Sequence, residues 1–227
     1  MSRLPRRGEP WRFRAPALGS PADELVGSGA MRLDRRSLLA VVGVLVTAVG
    51  RTGVAAPVAE RTLGDPAAKV TVVEWFSMTC PHCAAFHLQT LPELKKRYVD
   101  TGKVRFVVRD FPTDAVALKA HVLAHCAGPE RYFAFVDALL QSQARWASAK
   151  DPIEALKQLG KLGGLSDGQI EACLADRAME DEVLKMRLEA QQKYDVRSTP
   201  SFLVNGKVHA GNRSPDEFAK LLDPLLR

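Results

Sequence analysis

Hydrophobic and polar positions change period several times along this chain, and each change marks an element. Lys69 to Phe76 (KVTVVEWF) is β-branched and apolar enough for a buried strand, and Val104 to Val108 forms a second. Between them Ala84, Leu88, Leu91, Leu94 and Tyr98 recur at helical spacing, and Pro92 inside that pattern predicts a kink near the middle of the helix. From Asp114 to Tyr194 the strand signal disappears. Four or five helices are expected there, divided by Gly128-Pro129, Asp151-Pro152 and Gly163-Gly164. Ser166 with Gln169 three residues on is a capping box that starts one of them. Strand character resumes at Ser201 to Val204 and at Lys207 to Ala210. Asn205-Gly206 lies between, the pair that a two-residue type I′ hairpin turn requires. A second capping box, Ser214-Pro215-Asp216-Glu217, opens a closing helix with proline at its first position. The order strand, helix, strand, helical block of about 80 residues, hairpin, helix predicts an α/β core split by an all-helical insertion. Residues 57–113 and 196–227 would form the two parts of the core, and 114–195 the insertion.

Upstream the pattern is of another kind. Residues 31–56 have the layout of a signal peptide, with Arg32, Arg35 and Arg36 leading into an apolar run from Leu38 to Gly50 and then small residues. That run of 13 residues falls short of the roughly 20 that cross a bilayer as a helix, so cleavage near Ala55 or Ala56 is expected, with an uncut anchor as the alternative. Arg35-Arg36 followed by Ser37-Leu38-Leu39 resembles a twin-arginine signal. Residues 1–30, polar and rich in Arg, Pro and Gly, fit no export layout, so either Met31 is the functional start or the n-region is long. An exported chain works outside the cytoplasm, in a periplasm if the cell is Gram-negative, where disulfides persist.

Charge follows the same division. The 227 residues carry a formal +6, but residues 1–56 hold nine Arg against four acidic residues, leaving 23 basic and 22 acidic side chains on the remainder. Without a single-sign field on the body, a phosphate-tracking surface loses its support, and no nucleic-acid partner is expected.

The chemistry lies in Cys80-Pro81-His82-Cys83, which follows the first strand and opens the first helix near Cys83. Unpaired N–H groups and the positive end of the helix dipole favour an anion, so the Cys80 thiol should ionise well below the free-cysteine value of about 8.5. His82, when protonated or donating, would add to that. Cys83, deeper in the helix, is the resolving partner. A stabilised thiolate exists only in the reduced pair, so the disulfide becomes more oxidising, by about 30 mV for each pKa unit while the group stays ionised. C-x-x-C is also a zinc-ligand spacing. The remaining donors (Cys126, Cys173, His121 and His125) lie in the helical block without a standard second pair, so no metal is expected. A purely structural disulfide is disfavoured because a ring closed over two intervening residues is strained and reducible.

WFSMTCPHC, the helical insertion and STPSFLVNGK together resemble the DsbA thiol oxidases, across about residues 60 to 227. The resemblance implies a thioredoxin-like fold, thiol:disulfide exchange through Cys80 and Cys83, and no cofactor beyond that dithiol. By the same resemblance Pro81 and His82 belong to the catalytic motif, and Pro200 is the cis-proline that faces the disulfide. The Thr199 backbone pairs with an extended substrate strand. Glu74, six residues before Cys80, matches the buried acid that moves a proton to or from Cys83, the alternative being an acid at a solvated sheet edge. Thr rather than Val before this proline resembles the isomerases, which keeps an isomerase or reductase as an alternative. A metal-handling or peptide-binding module of the same fold is a further one. The implied partners are reduced, newly exported proteins and a DsbB-like membrane reoxidant, and the expected state is a monomer. Cys126 and Cys173 make the cysteine count even, so a second, structural disulfide is expected, with two buried free cysteines as the alternative. His121 and His125 read as ordinary helix residues, and Tyr132, Phe133 and Phe135 as insertion core.

Overall fold

The computed structural model describes residues 58–227, so the expectations for 1–30 and for a signal peptide at 31–56 lie outside the described residues. Five strands form one mixed sheet among the described residues: β1 Arg61–Leu63, β2 Val70–Phe76, β3 Val104–Asp110, β4 Ser201–Val204 and β5 Lys207–Ala210. Their spatial order is β1-β3-β2-β4-β5. β2 runs parallel to β3 and antiparallel to β4, with Val72 opposite Val204 and Trp75 opposite Ser201. A strand in that central position is covered on both faces, which is why its sequence is a nearly continuous apolar run. Asn205 and Gly206 both take positive φ, 49° and 76°, as the tight turn between β4 and β5 demands.

From β2 the chain enters a helical stretch at Pro81, not near Cys83. It consists of α1 (Pro81–Ala85), a π turn (Phe86–Thr90), α2 (Leu91–Leu94) and a second π turn (Lys95–Val99). Proline suits the first helical position because its missing N–H would have no partner there. Pro92, expected to kink the helix, lies in α2 between the two π turns, irregularities of the ladder of the kind at which helices bend.

Six helices follow between β3 and β4: α3 (Ala115–Cys126), α4 (Tyr132–Gln141), α5 (Gln143–Ala147), α6 (Pro152–Leu162), α7 (Asp167–Leu174) and α8 (Arg177–Tyr194). The count exceeds the four or five expected because Ser142 alone divides α4 from α5, with no glycine or proline to signal the break. Its hydroxyl donates back to the Ala138 carbonyl at 2.8 Å, a local bond that competes with the helix ladder. β1 also had no sequence signal, being too short to show a period. The last α-helix is α9 (Pro215–Leu222), followed by a 3-10 turn at Asp223–Leu225. Ser166 and Ser214 each form the expected capping box.

Two cores result. On one face Val72 and Phe76 of β2 pack with Cys83, Phe86, Phe202 and Phe218, where the Phe86 and Phe218 rings lie 4.7 and 4.9 Å from that of Phe202. On the other, Trp75 and Phe111 pack with Ala190 of α8 and Val196. Cys126 and Cys173 are joined in a disulfide, Cα atoms 6.3 Å apart, tying the end of α3 to α7. No helix among the described residues is long and apolar enough to cross a membrane.

Candidate active site

β2 delivers the chain to the site. After Phe76 come Ser77, Met78 and Thr79, and then Cys80, the N-cap of α1 with extended backbone (φ −80°, ψ 118°). Cys80 is half-buried, Cys83 one turn further is buried, and both are free thiols. The Cys80 Sγ donates to the Thr199 carbonyl at 3.3 Å, and the peptide between Thr199 and Pro200 is cis. Thus β4's approach loop, about 120 residues downstream, closes over the first cysteine. Pro81 and His82 are exposed beside it.

The two sulfurs are driven apart. Cys80 is lowered to about 5, first because the Cys83 thiol hydrogen-bonds to it, with help from the Thr199 side chain and from the backbone N–H groups of Cys83 and His82, against a desolvation cost. What reaches the sulfur from His82 is its backbone. Cys83 is pushed far above the usual thiol range, first by burial, then by the hydrogen bond it gives Cys80 and by the charges of Glu74 and Cys80. Its Sγ accepts from the Ser77 N–H at 3.5 Å.

Glu74 is wholly buried, between Val72 and Phe76 along β2, on the face that meets the active-site helix. Strand alternation puts it there. Its Oε2 lies 3.0 Å from His87 Nε2 in a buried pair. The other carboxylate oxygen and His87 Nδ1 have no protein partner. Desolvation pulls the His87 imidazole down, but the adjacent Glu74 carboxylate overcomes it and holds the ring above its ordinary value. Sequence reasoning did not single out His87. The available signal was its offset of four residues from Cys83, which places the two side chains on one side of a helix.

A second polar group surrounds the segment before Cys80. The Met78 N–H donates to His121 Nε2 at 3.3 Å, and the Gln143 amide donates to the Met78 and Cys80 carbonyls at 2.9 and 3.0 Å. His121 Nδ1 and His125 Nε2 lie 2.8 and 2.5 Å from the two oxygens of buried Asp110. Burial alone would raise that carboxyl, but the two imidazoles hold it well below the usual carboxylate range. His121 and His125, expected as ordinary helix residues, are therefore members of a buried acid–imidazole cluster. Tyr132 and Phe135 are core, as the same cluster reading of the insertion predicted, and Phe133 is half-buried. Among the described residues no group of three or more His, Cys, Asp or Glu is placed to hold a metal ion.

The family model described as Thioredoxin matches residues 57–224. A Rickettsia felis protein provisionally named a protein-disulfide oxidoreductase is 39% identical over 169 residues, which cover 74% of this chain and 60% of that protein. Disulfide bond formation protein D of Bacillus subtilis is 26% identical over 178 residues, covering 74% of this chain and 78% of that one. The crystal structure of Wolbachia pipientis alpha-DsbA1 is similar with a TM-score of 0.68 at 30% identity, over 74% of this chain and 90% of that chain. The chain thus spans about 60% of the length of the Rickettsia felis relative.

Proposed function

We propose that this chain, which belongs to the thioredoxin family and within it to the DsbA-like proteins, is a thiol:disulfide oxidoreductase that donates a Cys80–Cys83 disulfide to reduced, newly exported proteins. The observation that carries this reading is the separation of the pair: a half-exposed, acidified Cys80 above a buried Cys83 that keeps its proton.

In the oxidised enzyme a substrate thiolate attacks the Cys80 sulfur, which is the accessible one. The Cys80–Cys83 bond breaks, and Cys83 leaves with its electron pair. A thiolate is costly at that buried position beside a carboxylate, so the departing sulfur needs a proton. Glu74 is the group disposed to relay it: its carboxylate takes up a proton, from the His87 imidazolium on Oε2 or from water, and passes it to the Cys83 sulfur. A second substrate thiolate then attacks the substrate sulfur of the mixed disulfide, and Cys80 departs as the stable thiolate. The substrate has lost two electrons and the enzyme has gained them. Extended substrate backbone would pair with Thr199 beside Pro200, a mode that tolerates many sequences. Pro81 sets the start of the helix, and the exposed His82 ring borders the approach to Cys80.

In this reading the chain acts outside the cytoplasm, in the periplasm after export by residues 31–56, and a membrane reoxidant of the DsbB kind restores the disulfide. The Cys126–Cys173 bond serves as a structural staple of the helical block. The test is oxidation of a fully reduced test protein by the oxidised chain, followed by thiol titration. Two thiols should disappear per enzyme molecule, and Cys80→Ser should abolish the reaction. A protein that reshuffles scrambled disulfides but leaves reduced thiols untouched would instead be an isomerase, the reading that Thr199 before Pro200 favours. N-terminal sequencing of the mature protein tests the export step, with a start at or just after Ala56 expected.

A further inference from the structure

Two buried side chains of the helical block reach the backbone that carries Cys80. We propose that Gln143 and His121 are positioning residues for the dithiol, holding Met78 to Cys80 so that the Cys80 sulfur stays at the head of α1 beside Thr199. The proposal rests on the reading of Cys80 as the reacting sulfur.

Gln143 lies on α5 and is 7% exposed. Its amide nitrogen has two hydrogens, and both are used, one on the Met78 carbonyl and one on the Cys80 carbonyl. The Cys80 carbonyl also accepts from the N–H groups of Cys83 and Ala84, at 3.1 and 3.2 Å, the first bonds of the active-site helix. Gln143 therefore grips the atom from which that helix starts. His121, on α3 and fully buried, acts from the other side through the Met78 N–H. An Nε2 that accepts must be unprotonated, which leaves the ring hydrogen on Nδ1, 2.8 Å from an Asp110 oxygen. Asp110 is in turn held by His125, which fixes the orientation of the set. Met78 is wholly buried, outside both strand and helix, and its N–H and carbonyl each find a partner in these side chains.

The consequence for chemistry comes through distance. The groups that favour a Cys80 anion are hydrogen-bond donors of the first helical turn and the Cys83 thiol, and such bonds weaken steeply with misalignment. A segment freed from Gln143 or His121 lets the sulfur leave them. Mere cover by the helical block would stabilise the fold without affecting the thiol.

Three variants of the full chain separate these cases. Gln143→Met keeps the side-chain length and removes both donors. His121→Asn keeps a polar group near Asp110 and removes the acceptor for Met78, whereas His121→Gln keeps an acceptor close to the Nε2 position. The readouts are the ultraviolet titration of the Cys80 thiolate, the glutathione redox equilibrium and the melting temperature of the oxidised protein. Gln143→Met and His121→Asn are expected to move the thiolate midpoint upward by about one pH unit, and the redox equilibrium by up to about tenfold toward a less oxidising couple. His121→Gln is expected to stay near wild type. Lower melting temperatures with an unchanged midpoint and equilibrium would overturn the proposal, as would a His121→Gln variant altered as much as His121→Asn. If Gln143→Met does not fold, the His121 pair decides alone. A wild-type Cys80 that titrates as an ordinary thiol would overturn the site reading itself, an outcome distinct from unresponsive variants of an acidic wild type.

Discussion

The separation of the two thiols fixes how the redox potential must vary with pH. Reduction of the disulfide adds two electrons, and Cys83 takes up one proton across the whole working range because its sulfur is held far above it. Cys80 takes up a second proton only below about pH 5. Each proton coupled to a two-electron step changes the potential by about 30 mV per pH unit. The slope should therefore be about 59 mV per unit below pH 5 and about 30 mV per unit above it. Relative to a pair with an ordinary first thiol, which keeps the steeper slope up to its own midpoint, the couple gains about 60 mV in oxidising power by pH 7. Water at the half-exposed sulfur screens part of this, so that figure is the upper end. The sign agrees with linkage. A depressed midpoint stabilises the reduced folded form in full above the unfolded thiol value of about 8.5, and this is lost as pH falls through about 5. Equilibration against glutathione from pH 4 to pH 8, with acid trapping and mass spectrometry, measures the slope. A straight line of about 59 mV per unit through pH 8 would mean that Cys80 keeps its proton and is not acidified.

Three further outcomes are expected. Replacing Cys126 and Cys173 together by Ala should cost about 4 kcal/mol in denaturant unfolding, from the chain entropy of a closed loop of about 48 residues, while oxidation of a test protein continues. Glu74→Gln should slow the single-turnover step in which Cys83 departs by up to about a hundredfold, and should return the His87 imidazole toward lower pH in an NMR titration because its counter-charge is gone. An unchanged rate would remove Glu74 from the proton path. Phe218→Ala, in the aromatic contact with Phe202 and Phe86, should cost about 3–5 kcal/mol by thermal or denaturant unfolding.

Local signals in the sequence were strong where one residue type serves one backbone need. Asn205-Gly206 announced the hairpin, and Ser166 and Ser214 announced their helices, because caps and tight turns admit few residues. The buried β2 run announced a strand, and Cys80-Pro81-His82-Cys83 directly after it announced a thiol near a helix head, although the helix begins at Pro81 rather than near Cys83. Contacts that depend on how distant elements meet left no such mark. Gln143 is an ordinary helix residue until the fold brings it to the Met78 and Cys80 carbonyls, 65 and 63 residues away. His121 and His125 sit four apart on α3, but what gives them meaning is Asp110 at the end of a strand. β1, three residues long, depends on pairing with β3 and has no period of its own. The break at Ser142 depended on a hydroxyl choosing its own helix over solvent, which composition does not reveal.

The sheet order has a consequence for assembly. β2 pairs with β3 some 30 residues on, but its other neighbour, β4, arrives only after β3 and the six helices that follow it. Such distant pairing must close a large loop before it is rewarded, and it slows folding. A chain emerging from its N-terminal end therefore leaves one edge of its central strand unpaired, with the cysteine pair just beyond it, until Thr199 and the hairpin are made. Partly built molecules are open to mispairing with their own later cysteines, so the time between synthesis of Cys83 and of Pro200 is when this protein most needs to be kept reduced.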